Sequence, residues 1–152
     1  MMSFSPNGML TTKEFFEPIK NDVSSILEIG LGTIIPGAKS SMHDWKTSHI
    51  SVYKPGASLR VWQDYFPNAN VYGGDIQKDT QITDNRIKTF LFNSQSGVEC
   101  NQSLKDLTFD IIIDDGDHDA ISQIKTIFNL IGRVKSGGFY VIEDMVIMNR
   151  MN

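Results

Sequence analysis

The chain has a single cysteine, Cys100, so it can close no internal disulfide and build no thiolate zinc site, which suits a reducing compartment. It also lacks basic runs. Its 14 Lys and Arg are outnumbered by 18 Asp and Glu, giving a net charge of −4, and this argues against a nucleic-acid partner. No apolar stretch reaches the length of a membrane span, and the amino terminus has neither a basic nor an apolar leader region. The expected setting is therefore cytoplasmic, with no membrane partner. No internal repeat is visible, and no second domain is expected within the chain. What remains is ordinary for one globular domain over 1–152, with 40% hydrophobic and 21% charged residues.

Strands and helices alternate along the chain. A short helix is expected over 11–21, limited by Pro18, and then a strand over Ser25–Ile29 that runs into Gly30-Leu31-Gly32. The segment 33–55 is polar and fits no period, so it reads as a long loop insertion. Leu59, Trp62 and Phe66 recur at helical spacing over 56–66, as core residues of a helix that Pro67 stops. Strands follow over 70–75 and 87–92, with a short helix over 101–107. FDIII then marks a strand over 110–114 apolar enough to be buried on both faces. A helix over 120–134 carries a wide apolar stripe of Ile121, Ile124, Ile127, Phe128 and Ile131. Ser136-Gly137-Gly138 ends it, and a fifth strand spans 139–142. This alternation gives an α/β fold with a mainly parallel sheet flanked by helices.

Parallel sheets bind ligands at the carboxyl ends of their strands, and this chain collects its acids there. The 110–114 strand ends in Asp114, Asp115, Asp117, His118 and Asp119, a crowding that costs repulsion unless a cation, a proton or a donor offsets it. The Gly30-Leu31-Gly32 turn leaves room for a ligand's close approach, or is simply a tight turn; the third glycine of the dinucleotide fingerprint is replaced by Ile35. Asp75, ending the second strand, can accept from both hydroxyls of a ribose. No glycine-rich turn runs directly into a helix to cradle a pyrophosphate, so a ligand with a ribose and no phosphates fits better than a nicotinamide cofactor. Asp117 or Asp119 is a candidate cap of the 120–134 helix. Glu143-Asp144 is open to two readings, a solvated strand end or part of a site. His43, Trp45, His49 and Tyr53 lie in the insertion, where they either touch substrate or belong to a polar loop with no catalytic part.

In order, ILEIGLGT, PGASLRVWQDYFPNANVYGGDI, FDIIIDDGDH and KSGGFYVIEDM resemble class I S-adenosylmethionine-dependent methyltransferases. More narrowly, they resemble the metal-dependent sugar and macrolide (macrocin, mycinamicin) O-methyltransferases. The resemblance implies a Rossmann-like methyltransferase fold with strand order 3-2-1-4-5, lacking the usual last two strands. It implies S-adenosylmethionine as cofactor, held by Glu28, Gly30, Gly32, Asp75, Asn93 and Asp114. A divalent cation falls to Asp115, Glu143 and Asp144, whose three carboxylates favour magnesium, calcium or manganese over zinc, Mg being the first expectation, and the general base to His118. The implied substrate is a hydroxyl of a sugar or other polyhydroxylated small molecule. A non-catalytic methyltransferase-like module is the alternative, and an NAD-dependent oxidoreductase a more distant one. The fifth strand is expected at an open edge, explained by a truncated chain, a homo-oligomer that covers it, or a degenerate protein.

Overall fold

The computed structural model describes residues 15–42 and 53–145. The first part of the expected 11–21 helix and residues 43–52 of the insertion, with His43, Trp45 and His49, lie outside them. Six strands form one sheet: β1 Ser25–Ile29, β2 Asn70–Asp75, β3 Thr83–Asp84, β4 Ile87–Leu91, β5 Phe109–Asp114 and β6 Val134–Ile142. Their spatial order is β3-β4-β2-β1-β5-β6, and every neighbouring pair is parallel except β3 with β4. The order departs from the expected 3-2-1-4-5 by one strand, since β3 is a two-residue return at the outer edge, too short to show any alternation in sequence.

The central strands are buried on both faces because their neighbours are apolar in both directions. Ile26, Val71, Ile111 and Ile113 point to the side where α1 (Ala57–Tyr65) lays down Leu59 and Trp62. Leu27, Ile29, Phe109 and Ile112 point to the other side, against Cys100 and Leu104 of α2 (Gly97–Leu104) and Leu130 of α3 (Ala120–Leu130). Trp62 and Phe66 are core residues, as the spacing predicts. The Arg86 guanidinium donates to the carbonyls of Gln63 and Phe66, at 2.6 and 3.0 Å, and to that of Ala69, closing the carboxyl end of α1 with a cation.

Three features differ from those expected, the first two for a local reason. Helix α2 starts four residues earlier because Ser96 caps it, accepting from Glu99 N, in an S-x-x-E pattern. Helix α3 ends at Leu130, and β6 begins at Val134. Phe109 pairs with Val134 but Ile111 pairs with Phe139, so the intervening Ser136-Gly137-Gly138 bulges within the strand instead of ending the helix. The third concerns orientation. Helix α3 turns Ser122, Gln123, Thr126 and Leu130 inward and leaves Ile121, Ile124, Phe128 and, just past its end, Ile131 exposed, Phe128 by 79%. Among the described residues nothing pairs with the outer edge of β6.

At the amino ends of the strands, Asp110 Oδ2 is the common acceptor for Ser24 N and Oγ, Ser25 N and Oγ, and Lys135 Nζ, at 2.7–3.1 Å. Burial alone would raise this carboxyl, but the Ser24 bonds and the Lys135 ammonium outweigh it and hold it down at about 2. A depressed acid stabilises the fold above its unfolded pKa, and that contribution disappears as pH falls through the folded value. Asp110→Asn should therefore cost about 2 kcal/mol in urea unfolding at pH 7, and the difference from the unsubstituted chain should shrink towards pH 2.

Candidate cofactor and metal site

The sheet register sets the site. Gly74, Ile29, Asp114 and Ile142 lie side by side across β2, β1, β5 and β6. One residue further along, where the strands stop, come Asp75, Gly30, Asp115 and Glu143. Main-chain bonds hold this next row: Gly30 N donates to Gly74 O at 3.0 Å, Asp115 N to Ile29 O at 2.9 Å, and Glu143 N to Asp114 O at 2.9 Å. Four sequence-distant segments thus deliver their chemistry-bearing residues to one rim, with Asn93 at the exposed end of β4.

Both glycines of the turn are left-handed, Gly30 at φ +87° and Gly32 at φ +66°. The structure gives them a reason beyond ligand access. A Cβ on Gly30 would run into the main chain of Asp115 and Gly116, 2.6 Å from Asp115 C, and one on Gly32 would strike the Tyr53 hydroxyl. Asp75 is 7% exposed, and its Oδ2 accepts from Leu31 N at 2.7 Å while Oδ1 accepts from Gln77 N at 2.8 Å. Burial raises its carboxyl against those donors.

Glu28 sits beneath the turn at 3% exposure, accepting from Trp62 Nε1 at 3.1 Å. Burial pushes it up to about 8, opposed by a Ser58 hydrogen bond and assisted by the charges of Asp115 and Glu143. Tyr53 lies over the turn, donating to Leu31 O at 2.8 Å. Burial, followed by the charges of Glu28, Asp75 and Asp115, pushes its phenol to about 12. Asp114 is 2% exposed and accepts from Tyr140 Oη at 3.3 Å.

On the β5–β6 side, Asp115, His118 and Asp144 each offer a ligand atom, all within 4.8 Å of one another. Glu143 is not in that group, although its charge is the largest influence on Asp115 after burial; together they push Asp115 to about 6. Burial and then Asp144 raise Glu143 in turn. Carboxyls raised by burial and by each other's charge are what a cation would relieve, and the carboxylate oxygens of Asp115 and Asp144 suit a hard divalent ion, with the His118 imidazole beside it. Asp144 reaches its place with φ +51°, in the left-handed region.

The rest of the acid knot is structural. Asp119 caps α3, its Oδ1 accepting from Ile121 N and Ser122 N at 3.0 and 3.2 Å, so of the two candidate caps it is the one that takes the role. Asp117 accepts from Ser122 Oγ at 2.9 Å and pairs with Lys39 of the insertion. Sequence reasoning missed the supporting residues. Ser122 holds Asp117 and Gln123 Nε2 donates to Glu143 O at 3.2 Å, so the inward polar side of α3 fixes both acid loops. The apolar stripe on the opposite, exposed side hid them; polar residues at i and i+1, with a third at i+4 (Ser122, Gln123, Thr126), are the available signal.

No protein-family model matches the chain. It is 33% identical over 132 residues to the mycinamicin VI 2''-O-methyltransferase of Micromonospora griseorubida, covering 86% of this chain and 29% of that enzyme. It is 29% identical to an 8-demethyl-8-alpha-L-rhamnosyl tetracenomycin-C 2'-O-methyltransferase of Streptomyces olivaceus, covering 88% and 32%. Among solved structures, the MycE methyltransferase of the mycinamycin biosynthetic pathway, in complex with Mg and SAH, matches at TM-score 0.69 and 30% identity, over 88% of this chain and 31% of MycE. The chain thus spans about a third of the length of these relatives. It is a homologue of the macrolide and sugar O-methyltransferases and has their Rossmann-like methyltransferase fold.

Proposed function

We propose that this chain forms the cofactor- and metal-binding part of an S-adenosylmethionine-dependent O-methyltransferase whose acceptor is a hydroxyl of a sugar or other polyhydroxylated small molecule. The observation that carries the reading is the convergence of Asp115, His118 and Asp144 within 4.8 Å, one strand away from a glycine turn tied to Asp75. Glu28, Gly30, Gly32, Asp75, Asn93 and Asp114 would line the cofactor, with Asp75 accepting from the ribose. Its two bonds to Leu31 N and Gln77 N leave lone pairs for that.

Asp115 and Asp144 would hold the cation, with Glu143 completing the charge around it. A bound hard cation orients vicinal hydroxyls and makes the attacking one more acidic. His118, beside both acids, would accept the hydroxyl proton as the oxygen takes the methyl group and the carbon–sulfur bond breaks, leaving S-adenosylhomocysteine. The free, buried Cys100 suits a reducing compartment such as the cytoplasm. No helix among the described residues is long and apolar enough to cross a membrane.

Calorimetry with S-adenosylhomocysteine and MgCl2 tests this. The chain should bind S-adenosylhomocysteine, and should bind Mg more weakly as pH falls below about 6, where Asp115 takes up its proton. Asp115→Ala should abolish Mg binding and reduce methyl transfer at least about 100-fold, while His118→Gln should lose transfer and keep Mg. No binding of either sulfur cofactor sinks the proposal, and cofactor binding indifferent to Mg and to Asp115→Ala would leave a binding module.

A further inference from the structure

The Leu31–Ile34 stretch that follows Gly30 is held almost wholly from outside itself. With Gly30 and Gly32 both left-handed, it is part of neither a helix nor a strand ladder. Leu31 N goes to Asp75, and Leu31 O accepts from Tyr53 Oη and from Gly56 N, at 2.8 and 3.2 Å. Its far end depends on Asp79, in the 3-10 turn Lys78–Thr80 that follows β2. Both Asp79 oxygens lie within reach of Thr33 Oγ1, at 2.6 and 2.7 Å, and Oδ2 also accepts from Ile34 N at 2.9 Å.

Thr33 is the hub of this arrangement. It is 0% exposed, its Oγ1 accepts from Ile35 N at 3.1 Å, and its main chain bonds Ser40 O and Met42 N at 3.3 and 2.8 Å. The same residue therefore fixes the glycine turn and the root of the insertion. A turn with two glycines has many conformations open to it, and any it samples when free must be given up when a ligand binds. A charged acceptor on the Thr33 hydroxyl and the Ile34 amide removes that cost beforehand, and charge-assisted bonds are the stronger kind.

We propose that Asp79 is a positioning residue for cofactor binding, acting through Thr33 to pre-order the glycine turn. This rests on the methyltransferase reading above and extends it to a residue outside the acid row of the site.

The test is S-adenosylhomocysteine calorimetry on the full chain and four variants: Asp79→Asn, Thr33→Val, Thr33→Ser and the Asp79→Asn/Thr33→Val double. Asp79→Asn and Thr33→Val should each weaken binding about tenfold. Thr33→Ser, which keeps the hydroxyl, should stay near the unsubstituted value, and the double variant should be weakened by much less than the product of the two single effects, since the Thr33–Asp79 bond is common to both. With S-adenosylmethionine as substrate, KM should rise and kcat hold. An Asp79 that only supports the fold would lower the melting temperature and leave the dissociation constant of the folded protein unchanged, and that result overturns the inference. So do additive effects, or a Thr33→Ser variant as weak as Thr33→Val. Failure of the unsubstituted chain to bind S-adenosylhomocysteine overturns the functional reading, and the inference with it. Binding that is normal there and unaffected by Asp79→Asn overturns the inference alone.

Discussion

Gly30→Ala is expected to cost about 4 kcal/mol of stability, a large part of what a domain of this size possesses. Two costs combine. Alanine at φ +87° is placed where a Cβ crowds its own backbone, worth about 1–2 kcal/mol. The larger cost comes from the other side of the rim, where the new methyl would meet main-chain atoms, 2.6 Å from Asp115 C and 2.8 Å from Gly116 Cα. A side chain could rotate away, but a backbone held by Asp115 N to Ile29 O at 2.9 Å cannot move without breaking the β1–β5 register. Urea unfolding should show a sharply lowered midpoint, or a chain unfolded in buffer. A midpoint within about 1 kcal/mol of the unsubstituted protein would mean that β1 and β5 separate more easily than their pairing suggests. Gly37, also left-handed but with nothing among the described residues near its missing Cβ, provides the control: Gly37→Ala should show only the conformational part.

The second large effect is on pH dependence. An acid whose folded pKa lies above its unfolded value binds its proton more tightly in the folded chain. Its stabilisation is complete below the unfolded pKa and is lost as pH rises through the folded one. Glu28 moves from 4.5 to about 8, so without metal or cofactor the chain should lose stability steadily between about pH 4.5 and 8, by an amount on the order of 4 kcal/mol. Asp115, raised to about 6, adds a smaller slope over the lower part of that window. Glu28→Gln keeps the shape and the Trp62 contact while removing the titration. Melting temperatures of this variant should change little between pH 5.5 and 8, whereas those of the unsubstituted chain should fall. Equal slopes in the two proteins would place the titrating group elsewhere.

How legible all this is in the sequence depends on the kind of signal. Buried parallel strands announce themselves as apolar runs, and SILEI and FDIII needed no further help. The acids at strand ends were legible for the same reason, since a strand that ends in Asp or Glu carries it to the rim. Four features escaped. The β3 return is two residues long, and the bulge at Ser136–Gly138 has the composition of a helix stop. The ties between Glu28 and Trp62, and between Thr33 and Asp79, join residues 34 and 46 apart, and no period links such pairs. The resemblance sets Glu143 and Asp144 together at the cation; in the structure the group within 4.8 Å is Asp115, His118 and Asp144, and Asp144 stands at φ +51°.

The orientation of α3 has a practical side. Its inward residues hold Asp117 and the Glu143 carbonyl, whereas Ile121, Ile124 and Phe128 stand exposed on the opposite side. The two sides of one helix are therefore separable: the outer one can be recoded with charged residues to change how the protein behaves at high concentration, while the inner one keeps the acids in place. In this fold, solubility and site geometry can be engineered independently on the same eleven residues.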